Sequence, residues 1–209
     1  MDKQGQKKPS LMNCQAGNAV SRRQVFACVL AGSLSCLCHG APGKDNASAN
    51  EFTLKGTVYE KVGNAANIDP ALLYALTCVE SSIEGDIAGY MRPYPWTLRY
   101  GNKPFYGKNK AHAVAELKRI LARHRNASVD IGLAQINSRW HGYRVKSLLD
   151  LLDPQTNLTV AAQILNENFK RYPNDAFRAI GAYHSFDAAK SIRYARYVVR
   201  VYSSLKEEQ

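Results

Sequence analysis

The chain has 209 residues, 45% of them hydrophobic, and a formal charge of +11. That length suits one compact domain plus an extension, and no apolar run reaches the roughly 18 residues a bilayer span needs, which excludes a membrane-embedded function. A basic balance points to an anionic partner, but no helix-turn-helix, zinc finger or other nucleic-acid-binding motif accompanies it, so nucleic acid is not expected.

The first forty residues differ from the rest. Arg22-Arg23 precede an apolar stretch from Val25 to Leu37, and small residues then lead to Gly40, Ala41 and Pro42. A basic start, a short apolar core and a small-residue end describe a secretory signal peptide over 1–41, with Met12 giving a start of more usual length. Ser21-Arg22-Arg23 hints at twin-arginine export, although Phe26 stands one place later than that pattern. Cys28 and Cys36 lack the Leu three places earlier that a lipoprotein signal carries. Four of the five cysteines (Cys14, Cys28, Cys36, Cys38) fall in this leader, so only Cys78 remains, a small apolar core residue by its helical setting. The five histidines show no metal spacing, and neither metal nor other cofactor is expected. Residues 1–41 hold five Lys/Arg and one Asp, so their removal leaves +7. Between Met91 and Asn126 stand nine Lys/Arg against one acid, Glu116. A solvated helix face accounts for at least half of this run; as a binding surface on an exported protein it would suit an anionic wall polymer such as peptidoglycan, whose stem peptides carry carboxylates.

Residues 42–51 read as a flexible linker, 52–205 as one domain and 206–209 as a tail. Phe52 to Asn67 suits a short helix over one edge. Asp69-Pro70 starts the next, with an N-cap and Pro at the first helical position. Leu72, Leu76, Val79 and Ile83 recur at helical spacing as a core stripe, and Leu73 and Leu76 share a face with Glu80. An acid above leucines at a helix end is partly desolvated, which raises its pKa and keeps a proton available near neutrality. The aromatic and polar residues from Pro93 to Tyr106 alternate around Gly101-Asn102 and predict a β-hairpin. Lys110 to His124 has helical periodicity, and Ile131 to Asn137 suits a short helix or turn. Thr156 to Tyr172 is an amphipathic helix. Another runs from a cap at Asn174 or Asp175 to Tyr183, and a last from Asp187 to Leu205 with Arg193, Arg196 and Arg200 on its wet side. The expected fold is a single, mainly α domain with a small β-hairpin insert.

Three stretches carry the chemistry: Glu80-Ser81; Gly132-Leu133-Ala134-Gln135-Ile136-Asn137 with Trp140 following; and Ala182-Tyr183-His184. From about Ile68 to Tyr194 the chain resembles the catalytic domain of soluble lytic transglycosylases, within the lysozyme-like superfamily. The segments Pro93-Tyr94-Pro95-Trp96-Thr97-Leu98 and Ser128 to Asn137 resemble the branch that accompanies conjugation and type IV secretion machinery. Ala134 stands where the family usually has Met, and His184 where it often has Asn.

The resemblance implies an α+β lysozyme-like fold and cleavage of the β-1,4 bond between N-acetylmuramic acid (MurNAc) and N-acetylglucosamine (GlcNAc). Glu80 would act as acid and then as base, closing a 1,6-anhydro ring. It implies substrate contacts from Ser81, Gly132, Leu133, Gln135, Asn137 and Tyr183, peptidoglycan as the substrate, a periplasmic or envelope location, and proteins of a secretion or conjugation apparatus as partners. Gln135 and Asn137 serve equally well as helix caps or structural hydrogen-bonders, and Tyr183 as core packing. Asp130 has two readings. The run from Asp130 to Trp140 also resembles the segment of animal lysozymes that carries their second carboxylate, which would make the enzyme a hydrolase using Glu80 and Asp130. Otherwise Asp130 caps a helix beginning near Ile131. A third reading makes the protein a non-catalytic peptidoglycan-binding scaffold.

Overall fold

The computed structural model describes residues 52–84 and 91–206. The signal peptide and the linker expected over 1–41 and 42–51 lie outside the described residues. The domain is mainly helical, as the sequence predicts. Helix α1 spans Val58–Ala66 and starts at Thr57, whose hydroxyl accepts from Glu60 N. It ends at Asn67, which adopts a left-handed conformation (φ 53°) that Asn tolerates better than most residues. Helix α2 (Pro70–Ser81) follows directly, with the Asp69 carboxylate accepting from Ala71 N at 2.8 Å.

Every residue of α2 from Ala71 to Thr77 is buried. Such a helix is apolar on all sides because other elements surround it, here chiefly α1 and the last helix, α7 (Ala188–Lys206). Near its end only one side stays covered, and there the sequence turns polar at Glu80-Ser81-Ser82. Ser82 leaves the helix with extended backbone and opens strand β1 (Ser82–Glu84), which pairs antiparallel with β2 (Met91–Pro93).

The expected hairpin forms from β3 (Thr97–Tyr100) and β4 (Lys103–Tyr106), turning at Gly101-Asn102. It belongs to a larger sheet than the sequence suggests. Helix α3 (Lys110–Arg123) is followed by β5 (Val129–Ile131) and β6 (Ile136–Asn137), and the strands lie in the order β4-β3-β5-β6. The helix expected to start near Ile131 is therefore absent, and Asp130 caps nothing. Val129, Ile131 and Ile136 are apolar and β-branched, and they alternate with polar Asp130 and Asn137 across the pleat. Val129 and Ile131 enter the core with Leu98 of β3, while Asp130 faces away.

The turn joining β5 to β6 is built around one side chain. Asn157, fully buried on α5 (Pro154–Arg171), donates to Ile131 O at 2.7 Å and to Leu151 O at 2.9 Å. Its Oδ1 accepts from Ala134 N at 2.8 Å. The short helix α4 (Ser138–His141) leads from β6 toward α5. Helix α6 (Ala176–His184), capped by Asp175, packs against α5 and α7. The approach to α7 is close at Gly181, where an added Cβ would lie 2.2 Å from Ser191 Oγ and 2.6 Å from Ser191 O. The Ser191 backbone cannot yield, so Gly181→Ala is expected to cost about 2–3 kcal/mol, read as a lower urea midpoint at unchanged m-value.

Candidate active site

A cleft of about 280 Å³ opens where the end of α2, the sheet, α4, α5 and the end of α6 meet. Glu80 stands in its wall together with Arg99, Asp130, Gln135, Asn137, Trp140, His141, Tyr183 and His184, and Ile164 adds an apolar side. An edge of Glu80 reaches the cleft, but its carboxyl is desolvated. Burial pushes its pKa from the ordinary 4.5 up to about 7. The negative charge of Asp130 adds to the rise, while the Tyr194 hydroxyl and the Arg99 guanidinium oppose it. An acid in this setting holds its proton into the neutral range and can also release it there.

Two tyrosines back the acid. Tyr183 and Tyr194 lie with near-parallel rings 6.3 Å apart, and burial pushes both hydroxyls well above their ordinary range. They therefore remain neutral donors. Tyr183 Oη is committed to the Ala134 carbonyl at 2.9 Å, which ties α6 to the β5–β6 turn. Tyr194 Oη makes no well-aligned hydrogen bond among the described residues, and the polar group it acts on most strongly is Glu80. His184 stacks on the Tyr194 ring at 4.9 Å. Burial lowers the pKa of both His184 and His141, so the cleft presents uncharged imidazoles at neutral pH.

The β5–β6 turn supplies the opposite wall. Gln135 sits at its end in a left-handed conformation (φ 45°), a strained setting for a residue with a side chain. Its amide nitrogen donates to Gly132 O at 2.8 Å and to Thr97 O at 3.2 Å. Those two bonds fix the side chain and leave Oε1 buried with no partner among the described residues. A buried acceptor on a cleft wall is a place for a ligand N–H or O–H, since leaving it unmet costs about 1–3 kcal/mol.

Asn137 is used at both ends. Its Oδ1 accepts from Arg139 N and Trp140 N and so starts α4, while Nδ2 donates to Asp130 Oδ1 at 2.7 Å and to Ser128 Oγ at 2.9 Å. Arg99, Asp130 and Asn137 are direct cross-strand neighbours on β3, β5 and β6, so one polar row crosses the sheet along the cleft floor.

Of the residues expected to serve the glycan, Glu80, Asp130, Gln135, Asn137 and Tyr183 line one cleft, although they come from four elements and the β5–β6 turn. Ser81, Gly132 and Leu133 do not line it. The Ser81 hydroxyl bonds Thr77 O and accepts from Tyr94 N, so it braces the end of α2. Gly132 faces Asn157 rather than the cleft, and Leu133 is buried in the core. The sequence reading missed Arg99, His141, Ile164 and Tyr194. The alternation of β3 marks Arg99 as outward-facing, but no local signal points it toward Glu80.

A family model described as a transglycosylase SLT domain matches residues 57–197, from the first residue before α1 to the middle of α7. No curated protein matches the chain. The match takes in the helix that carries Glu80, the turn that carries Gln135 and the helix that carries Tyr183, and on that ground the chain belongs to the SLT domain family of lytic transglycosylases, which act on peptidoglycan.

Proposed function

We propose that the protein cleaves the MurNAc–GlcNAc β-1,4 bond with Glu80 as its single acid and base, leaving 1,6-anhydro-MurNAc. The observation that carries this reading is the cleft carboxyl whose pKa burial raises to about 7. Protonated Glu80 gives its proton to the bridging oxygen, and the GlcNAc side departs with a free hydroxyl. The acetamido oxygen of the MurNAc ring supports the positive charge that develops at C1, a form of substrate assistance that dispenses with a second carboxylate. Glu80, now ionised, removes the proton of the 6-hydroxyl, whose oxygen closes on C1. The acid ends the cycle protonated again and no water is consumed. Gln135 Oε1 is fixed to accept from an acetamido N–H or a sugar hydroxyl, and exposed Trp140 offers an aromatic face beside the cleft. The leader-like first forty residues support export to the periplasm or envelope, and the conjugation-like segments support work beside a secretion apparatus. Mass spectrometry of muropeptides released from purified walls tests the chemistry: 1,6-anhydro ends are expected, and reducing ends would overturn it.

A hydrolytic reading has one observation in its favour: Asp130 shares the cleft and its charge acts on Glu80. Asp130→Asn separates the two. If Glu80 works alone, activity stays within several-fold of wild type. The Glu80 pKa then falls, because a like charge beside it has gone, and the alkaline limb of the pH profile moves to lower pH. If Asp130 is the second catalytic carboxylate, kcat drops about 100-fold or more.

A further inference from the structure

Among the described residues, one cationic side chain lines the cleft without an ion pair. Arg99 is exposed on β3 and lines the cleft, and no carboxylate among the described residues forms an ion pair with it. Its direct cross-strand neighbour Asp130 is the obvious partner, but Asn137 on the far strand holds that carboxylate at 2.7 Å. The opposite face of the sheet, where Tyr100 and Lys103 point and α3 packs, is basic as well. Lys103, Lys108, Lys110, Lys118, Arg123 and Arg125 are all exposed on the hairpin, on α3 and on the segments flanking it. The one acid of this region, Glu116, is occupied by Arg119. The hairpin and the end of α3 are held side by side by Tyr100 against His124, with ring centroids 5.2 Å apart.

We propose that Arg99 is the specificity residue that binds the carboxylate-bearing arm of the glycan, namely the stem peptide rooted on the muramic acid. The proposal rests on the peptidoglycan reading above. The glycan backbone is uncharged, so a cation beside the acid gains nothing from it. A peptide attached to the sugar at the cleavage point is the anionic part that this site would meet. A guanidinium suits the task because its fork matches a carboxylate with two parallel hydrogen bonds. Asp130 repels an entering carboxylate, which confines it to the Arg99 side of the floor.

The test compares native peptidoglycan with peptidoglycan whose carboxylates have been amidated by carbodiimide and ammonia. Wild type is expected to lose about tenfold in kcat/KM on the amidated wall, mostly through KM. Arg99→Gln is expected to lose about the same on native wall and to be indifferent to amidation, while Arg99→Lys recovers part of the loss. An Arg99 that acted only through its field on Glu80 would instead change kcat and the pH profile equally on both walls. Equal cleavage of both walls by wild type overturns the proposal and leaves the reaction reading intact. Binding is measured separately by co-sedimentation in a Glu80→Gln background, where Arg99→Gln is expected to weaken binding to native wall alone. If wild type cuts neither wall, the reaction reading fails. The sedimentation result then decides Arg99 on its own: a preference for native wall that disappears with Arg99→Gln supports it, and no preference overturns it.

Discussion

Glu80→Gln is expected to abolish wall clearance, with a loss of about 10²–10⁴ in kcat, and at the same time to make the protein more stable in alkaline buffer. The two effects share one cause. The folded-state pKa of Glu80, about 7, lies above its ordinary 4.5. Between those values the native state binds the proton that the unfolded chain has released, so stability falls as pH rises through that window. Above pH 7 the fold carries the full cost of a desolvated carboxylate. Glutamine has the same shape and no charge to desolvate. Its advantage should be near zero at pH 4.5, grow toward pH 7 and then level off, reaching about 3 kcal/mol at most. Melting curves of both proteins at pH 5 and pH 8, set beside clearance of purified walls, read both effects. A variant that clears walls as fast as wild type would return the protein to the scaffold reading.

The acid was legible in the sequence because several local rules agree around it. Asp69-Pro70 marks where α2 begins, the leucines mark its buried faces, and Glu80 falls where the run turns polar. The later helices were legible in their bodies more than in their starts: the sequence pattern begins α5 at Thr156, whereas Asp153 caps it and Pro154 is its first residue, and of the two caps offered for α6 the structure uses Asp175. Between Asp130 and Asn137 the expected turn is present, but the strands on either side of it were not foreseen, because they are three and two residues long. Period-2 alternation cannot be told from a turn over so few residues. A strand of this length is held by its neighbours, and β5 exists because β3 pairs beside it from thirty residues away.

The same limit applies to the cleft. The motif residues Gln135 and Asn137 pointed to the right region, yet their division of labour depends on distant partners. Asn137 spends its amide on Asp130 and Ser128, whereas Gln135 is held by Thr97 O, 38 residues earlier in the chain. Arg99 reaches the site only because the hairpin becomes part of the larger sheet, and Tyr194 only because α7 packs across α2. Neither relation is written in sequence spacing.

Gly132 shows how far a residue taken for a ligand contact can owe its identity to packing. Its backbone is left-handed (φ 80°), and an added Cβ would lie 2.4 Å from Asn157 Nδ2 and 2.6 Å from Leu151 O. Gly132→Ala therefore meets two penalties together. The left-handed backbone costs an alanine about 1–2 kcal/mol. The clash must then push Asn157 off at least one of the three carbonyl and amide groups it satisfies, all of them buried, at about 1–3 kcal/mol for each group left unmet. The expected loss is about 2–5 kcal/mol, a large part of what a domain of this size has to spare, and a melting temperature lower by about 5–20 °C. Asn157→Ala should cost a similar amount by stranding Ile131 O, Leu151 O and Ala134 N. The double variant should cost clearly less than the sum, because removing the Asn157 amide also removes the clash. Full additivity would mean that Gly132 serves some purpose other than making room for Asn157. Activity should fall before stability does. The turn that bends at Gly132 also carries Gln135, whose amide is anchored on the Gly132 carbonyl, so a shift of a few tenths of an ångström moves the cleft acceptor out of line with the sugar.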